Sequence, residues 1–111
     1  MFQLSRQGAV DIVSGRDPEN DEYAEALEQL LHPCISNGQP RIVFDLQHVP
    51  LVDSRGLEVL LDAHEMAMQR GGQFVLSAPN TLCRDILNAT GLDNRLQVFD
   101  DVLSAVGSFT L

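Results

Sequence analysis

Four consecutive residues, Asp53-Ser54-Arg55-Gly56, set a carboxylate, a hydroxyl and a guanidinium side by side just ahead of an amphipathic run. Such a cluster supports two kinds of chemistry. As a nucleophile, Ser54 needs a base and an oxyanion site. His48 or His64 can be written into a triad with it, yet the G-x-S-x-G elbow and an oxyanion loop are missing. As a phosphoryl acceptor, Ser54 needs only exposure and somewhere to put the added charge. The free backbone N–H groups of a helix's first turn, at the positive end of its dipole, offer that place. A phosphate there changes the local charge by about −1.5 to −2. Beside Asp53, it would oppose docking by a partner fitted to a single carboxylate, a switch at the surface rather than a rearrangement of the core. The plain alternative is that Ser54 caps the helix, and the residues alone leave both roles open. Arg55 can reach a partner's carboxylate, fold back onto Asp53 or a phosphorylated Ser54, or stand in solvent. Asp53 is either a loop cap or an acceptor for a partner's hydrogen bonds. Gly56 gives up helix propensity where Ala would serve better, which suits close approach at the helix start.

The remaining chemistry-bearing residues point nowhere else. His32 falls at a helix end, His48 in a loop and His64 on an apolar helix side, where packing is its ordinary role. No His pair has metal-ligand spacing, and Cys34 and Cys83 match neither a zinc site nor a disulfide framework. The glycines form neither a phosphate loop nor a dinucleotide fingerprint, and Gly71-Gly72 lies between helix and strand, the wrong context for a phosphate. These patterns predict a protein that is not an enzyme and carries no cofactor.

The elements that must hold the cluster follow from periodicity. Arg41 to Leu46 reads as a strand covered on both faces, because its apolar core is continuous. A turn through Pro50 leads to the cluster. From Leu57 the period becomes helical, with Leu57, Leu60, Leu61, His64 and Met68 on one side and Glu58, Asp62, Glu65 and Gln69 on the other. This helix runs from Ser54 or Arg55 to about Arg70, where Gly71-Gly72 stops it. Earlier, Met1–Gln7 and Ala9–Val13 read as strands around a turn at Gly8. A polar loop from Ser14 leads to a helix capped by Asn20 or Asp21, with Tyr23, Ala26, Leu27, Leu30 and Leu31 inward and Pro33 ending or kinking it. Later come a strand at Gln73–Ser77, a helix near Thr81–Ala89 with Leu82, Ile86 and Leu87 inward, a short strand within Arg95–Phe99, and a last helix capped by Asp100. Alternation of strand and helix from Arg41 predicts parallel pairing, with the first two strands adding an antiparallel edge.

The chain has 111 residues, enough for one domain, and a net charge of −9 from 16 acids against 7 arginines, without lysine. Six of the acids lie between Asp17 and Glu28 with no base among them. That field disfavours nucleic acid and anionic lipid as direct partners and suits a basic protein surface. No apolar run approaches the ~18 residues of a membrane span. With no signal-like start and few cysteines, a reduced cytoplasmic setting is expected.

The segment V-P-L-V-D-S-R-G-L-E-V-L-L, residues 49–61, resembles the signature of STAS domains, specifically the bacterial anti-sigma factor antagonists (anti-anti-sigma factors). Thr90-Gly91-Leu92, after an apolar strand and a helix, resembles a later feature of the same family. The resemblance implies an α/β STAS fold over residues 1–111, a mixed sheet of four to five strands with helices packed on it. It implies that Ser54 is phosphorylated by a serine protein kinase that is also an anti-sigma factor. The unphosphorylated form would bind that kinase and free its sigma factor, and a PP2C-type phosphatase would reset the switch. Asp53, Ser54, Arg55, Gly56 and Glu58 would contact the partner, with Gly15 and Asp17 in the loop bordering the docking surface. ATP and magnesium would belong to the partner.

Two departures stand out. Arg55 replaces the second Ser or Thr common in relatives. Gly15-Arg16-Asp17-Pro18 is one residue short of their G-x-[L/I/V]-D segment and lacks its apolar position, so partner identity is less constrained than fold. The alternative within the family is a non-phosphorylated STAS subunit that binds a fixed ATPase in a lipid-transport ABC complex.

Overall fold

The computed structural model describes residues 2–16, 21–36 and 38–109. Strands β1 (Phe2–Gln7) and β2 (Val10–Gly15) form an antiparallel hairpin around Gly8, whose φ of 63° is in the left-handed region that glycine adopts freely. Helix α1 (Asp21–Ile35), β3 (Arg41–Asp45), α2 (Ser54–Gln69), β4 (Gln73–Ser77), α3 (Thr81–Thr90), β5 (Val98–Phe99) and α4 (Val102–Gly107) follow. The sheet order is β1-β2-β3-β4-β5, parallel from β2 onward. The mixed α/β sheet with helices packed on it, expected from the sequence, is therefore the observed one.

Strand alternation divides the core in two. Val13, Ile42, Phe44, Phe74 and Leu76 face α1, α2 and α3, while Val10, Ile12, Val43 and Val75 face Ala105 and Val106 of α4. Because helices cover both faces, β3 and β4 are apolar without interruption. The rings of Phe44 and Phe74 stack with centroids 6.5 Å apart on the three-helix side.

Several boundaries and faces differ from the sequence expectation, each for a tertiary reason. β2 extends to Gly15 because Phe2 and Gln3 of β1 pair opposite Gly15 and Ser14. Helix α1 continues through Pro33 to Ile35, which is 1% accessible. Burying such a side chain is worth roughly 1.5–3 kcal/mol, comparable with the cost of about 3 kcal/mol for an internal proline. Its inward residues include Ala24 and Ile35, while Tyr23 and Ala26 are only half-buried. In α2 the buried stripe is Gly56, Leu57, Val59, Leu60, Ala63 and Ala67, and Met68 is exposed. The buried face continues through the small residues Ala63 and Ala67, and Met68 lies off it. In α3 the inward residues are Cys83 and Leu87, with Leu82 exposed. Asp101, not Asp100, caps α4, accepting the Ser104 amide at 2.7 Å, whereas Asp100 receives Arg84 at 3.1 Å.

Candidate functional site

Every parallel strand ends at the same edge of the sheet, so α2 and α3 begin beside one another there. Leu46, Val49 and Val52 are buried and hold the β3–α2 connection down, while Leu51 stays exposed. The Val49 amide donates to the Leu46 carbonyl at 3.0 Å, closing the turn through Gln47 and His48. Asn80, at the start of α3, ties the connection from the side. Its Nδ2 donates to the carbonyls of Val49 and Pro50 at 3.3 and 3.2 Å, and its Oδ1 accepts the Cys83 amide at 2.7 Å. The Cys83 thiol also donates to the Val49 carbonyl, at 3.5 Å. One side chain thus caps α3 and holds the loop that presents Ser54. The loop contacts of Asn80 span 31 and 30 residues and leave no local signal in the sequence.

Asp53, not Ser54, is the N-cap of α2. Its backbone is extended (φ −93°, ψ −175°), its Oδ1 accepts the Gly56 amide at 3.0 Å, and its carbonyl accepts the Leu57 amide at 2.9 Å. Ser54 is the first helical residue and is exposed. With Asp53 serving Gly56, the Ser54 and Arg55 amides are the first-turn donors with no acceptor one turn earlier in the helix. They lie at the positive end of a 16-residue helix, beside the serine hydroxyl.

Arg55 takes none of the local partners expected for it. Its Nη1 donates to Glu58 at 3.1 Å and its Nη2 to Glu28 of α1 at 3.4 Å, so it bridges the first turn of α2 to the neighbouring helix. At 36% side-chain exposure these pairs are surface pairs, each worth well under about 1 kcal/mol. Glu28 lies 27 residues away, and the sequence shows it only as the last acid of the run that begins at Asp17. Gly56 is buried, and Glu58 is exposed. Gly15 is buried at the end of β2, so it offers little surface for docking, and the exposed residue next to it is Arg16. Asp17 lies outside the described residues. His64 is half-buried with an unpartnered Nδ1, as a packing residue rather than a base aimed at Ser54. Among the described residues no group of His, Cys, Asp or Glu could hold a metal ion, and no helix is long and apolar enough to cross a membrane.

Fold and site together define a small α/β domain that presents a serine at the opening of its second helix, beside a carboxylate cap. A family model for the STAS domain matches residues 12–105, and the chain belongs to that family, a regulatory and non-catalytic class. A TM1081 homolog from Thermotoga neapolitana is 28% identical over 72 residues, 65% of this chain and 64% of that relative. The match therefore spans somewhat less than two thirds of the relative's length. The crystal structure of TM1081 from Thermotoga maritima superposes with a TM-score of 0.94 at 23% identity, covering 99% of this chain and 95% of that one. The anti-sigma factor antagonist SpoIIAA of Bacillus matches in its unphosphorylated form with a TM-score of 0.76 at 17% identity, over 88% and 87% of the two chains. Its phosphorylated form matches with a TM-score of 0.69 at 17% identity, over 88% and 90%.

Proposed function

We propose that this chain is a phosphorylation-switched protein-binding module, a single STAS domain acting as an anti-sigma factor antagonist. Unphosphorylated, it docks through Asp53 and the first turn of α2 onto an anti-sigma factor that is also a serine protein kinase, which releases the sigma factor. Phosphate on Ser54 ends the docking, and a phosphatase restores it. The observation that carries this reading is the exposed Ser54 hydroxyl on the first residue of α2, next to a carboxylate already committed as cap. A phosphate there meets two free amides and the helix dipole, so the fold accepts it, while the surface a partner reads becomes more negative. SpoIIAA, solved with and without phosphate and similar to this chain in both forms, supports the same reading.

The test is incubation with ATP in lysate of the native host, followed by phosphosite mapping and capture of the kinase complex. Phosphate should appear on Ser54 alone. Ser54→Ala should still bind the kinase, and Ser54→Asp should bind it more weakly while remaining folded. Phosphate on a different residue, with Ser54 unmodified, defeats the assignment. Constant co-purification with an ATPase, indifferent to Ser54 substitution, would instead identify the fixed subunit of a transport complex.

A further inference from the structure

Strand β5 covers only part of its neighbour β4, and a cleft of about 230 Å³ opens beside the uncovered part. Successive residues of a strand turn their backbone N–H and C=O groups to opposite neighbours. In β4 the Gln73 amide donates to Pro40 and the Ser77 carbonyl accepts from Leu46, each at 2.8 Å, on the β3 side. The Leu76 amide donates to Gln97 and the Ala78 amide to Phe99, each at 2.9 Å, on the β5 side. By the same alternation Phe74 turns toward β5. That strand pairs with Leu76 and Ser77 alone, through Val98 and Phe99. Among the described residues the Phe74 N–H and C=O therefore meet no backbone partner on that side.

Phe74 is 1% accessible, and unpaired main-chain groups at so buried a residue are uncommon. A second unmatched group lines the same cleft. His64 reaches it from α2, and its Nδ1 is buried without a hydrogen-bond partner among the described residues. Met68 follows His64 by one turn and lines the cleft with its unbranched, exposed side chain. Gln73, Gln97 and Arg95 complete the polar lining. Arg95 Nη2 donates to Glu65 at 3.0 Å, so its charge is already matched. The cleft thus offers one N–H, one C=O and an imidazole nitrogen beside an apolar chain, without an unmatched charge.

We propose that this cleft binds a small neutral amide about the size of a blocked amino acid. The ligand's carbonyl accepts the Phe74 N–H, and one of its N–H groups donates to the Phe74 carbonyl, as a further residue of β5 would. A second N–H donates to His64 Nδ1, and an apolar side chain lies against Met68. Each of these bonds pairs a group that the fold leaves unmatched, where an unmade bond is costly. Charge selects the same class: an anion meets a molecule of net charge −9, and a cation meets Arg95. The open edge is one residue long, because Gln73 and Val75 turn to β3, and that is too short for an added strand of a partner protein. His64 stands ten residues beyond Ser54, about 15 Å along α2. The site is separate from the serine surface and does not rest on the reading given for Ser54.

The probe is N-acetyl-L-leucinamide, titrated into the full isotope-labelled chain and followed by NMR. It should bind with a dissociation constant on the order of 1 mM, as suits a ligand this small. The Phe74 amide and the His64 ring nitrogens should move together. L-leucinamide, an ammonium, and N-acetyl-L-leucine, a carboxylate, keep the shape and should each bind at least about fivefold more weakly. Gln97→Trp, at an exposed position, should fill the cleft and abolish the shifts. His64→Phe, which keeps a ring and removes the acceptor, should weaken binding by about threefold or more. A thermal scan of each variant shows that the fold is kept. Ser54→Asp should leave the affinity within about twofold. No shift at Phe74 or His64 at about ten times the expected dissociation constant would mean that solvent alone serves these groups, and would overturn the site. Full binding by Gln97→Trp would do the same. Tighter binding of either charged analogue would overturn the neutral class. Binding of a blocked tripeptide about tenfold more tightly than the probe would place an added strand there instead.

Discussion

The Asp53 carboxylate accepts the amide of Gly56 at 3.0 Å, and this one bond divides the work of two adjacent residues. Asp53 anchors the helix start, and Ser54, displaced into the first turn, keeps its hydroxyl at the surface. A serine that had to cap the helix could not be modified without loss of the cap. Here the residue that stabilises and the residue open to modification are different ones.

The two positions should therefore separate in a stability measurement. Asp53→Ala removes the cap and should cost about 1 kcal/mol in urea unfolding. Ser54→Ala, at an exposed first-turn position, should stay within about 0.5 kcal/mol of wild type. Equal losses at both sites would mean that the serine shares the capping role.

Gly72 should tolerate no side chain. A Cβ built there would meet the Pro40 carbonyl oxygen and lie 2.7 Å from both Pro40 N and Cδ, in the backbone that opens β3. The Gly72 amide also bonds to Ala67 at 2.9 Å, and Gln73 to Pro40 at 2.8 Å, so neither side can give way easily. Gly72→Ala should lower stability by about 2 kcal/mol or more, whereas Gly107→Ala, with open space around it, should be mild. Comparison of the two midpoints of unfolding checks this.

Acid should loosen the last helix by a known route. Hydrogen bonds from Ser104, backbone first and then side chain, hold the Asp101 carboxyl below the usual carboxylate range. A carboxyl with a lowered folded-state pKa contributes stability that is present above its unfolded value and disappears as pH falls through the folded one. Fraying of α4, followed by amide signals of residues 102–107, should therefore begin as pH drops below the ordinary aspartate range. Asp101→Asn should make that step smaller, because its side chain does not titrate.

The two thiols should react in order and slowly. Burial, and secondarily the charge of Asp11, push the Cys34 thiol up, which lowers its thiolate fraction near neutral pH. Cys83 is wholly buried against Val49. Alkylation at mildly basic pH should reach Cys34 first, at a rate below that of free cysteine, and reach Cys83 only on unfolding. Peptide mass spectrometry over time distinguishes the two.

Much of this protein is written in local pattern. The switch from a continuous apolar strand to helical period at Asp53-Ser54, the span of β4, the stop at Gly71-Gly72 and the Thr90-Gly91-Leu92 segment are short-range features, because capping, turn geometry and side-chain alternation act between near neighbours. From them follow the mixed sheet and the surface position of Ser54 at a helix start. Other features depend on what arrives from elsewhere in the chain. Asn80 holds the loop ahead of α2 from 31 and 30 residues away. Glu28, brought alongside by the packing of α1 on α2, shares Arg55 with its near neighbour Glu58. The buried face of α2 runs through Ala63 and Ala67 and leaves Met68 outward, and α4 takes the opposite face of the sheet from the other three helices. Each of these is a contact across many residues, and periodicity along one segment carries no information about which other segment will meet it.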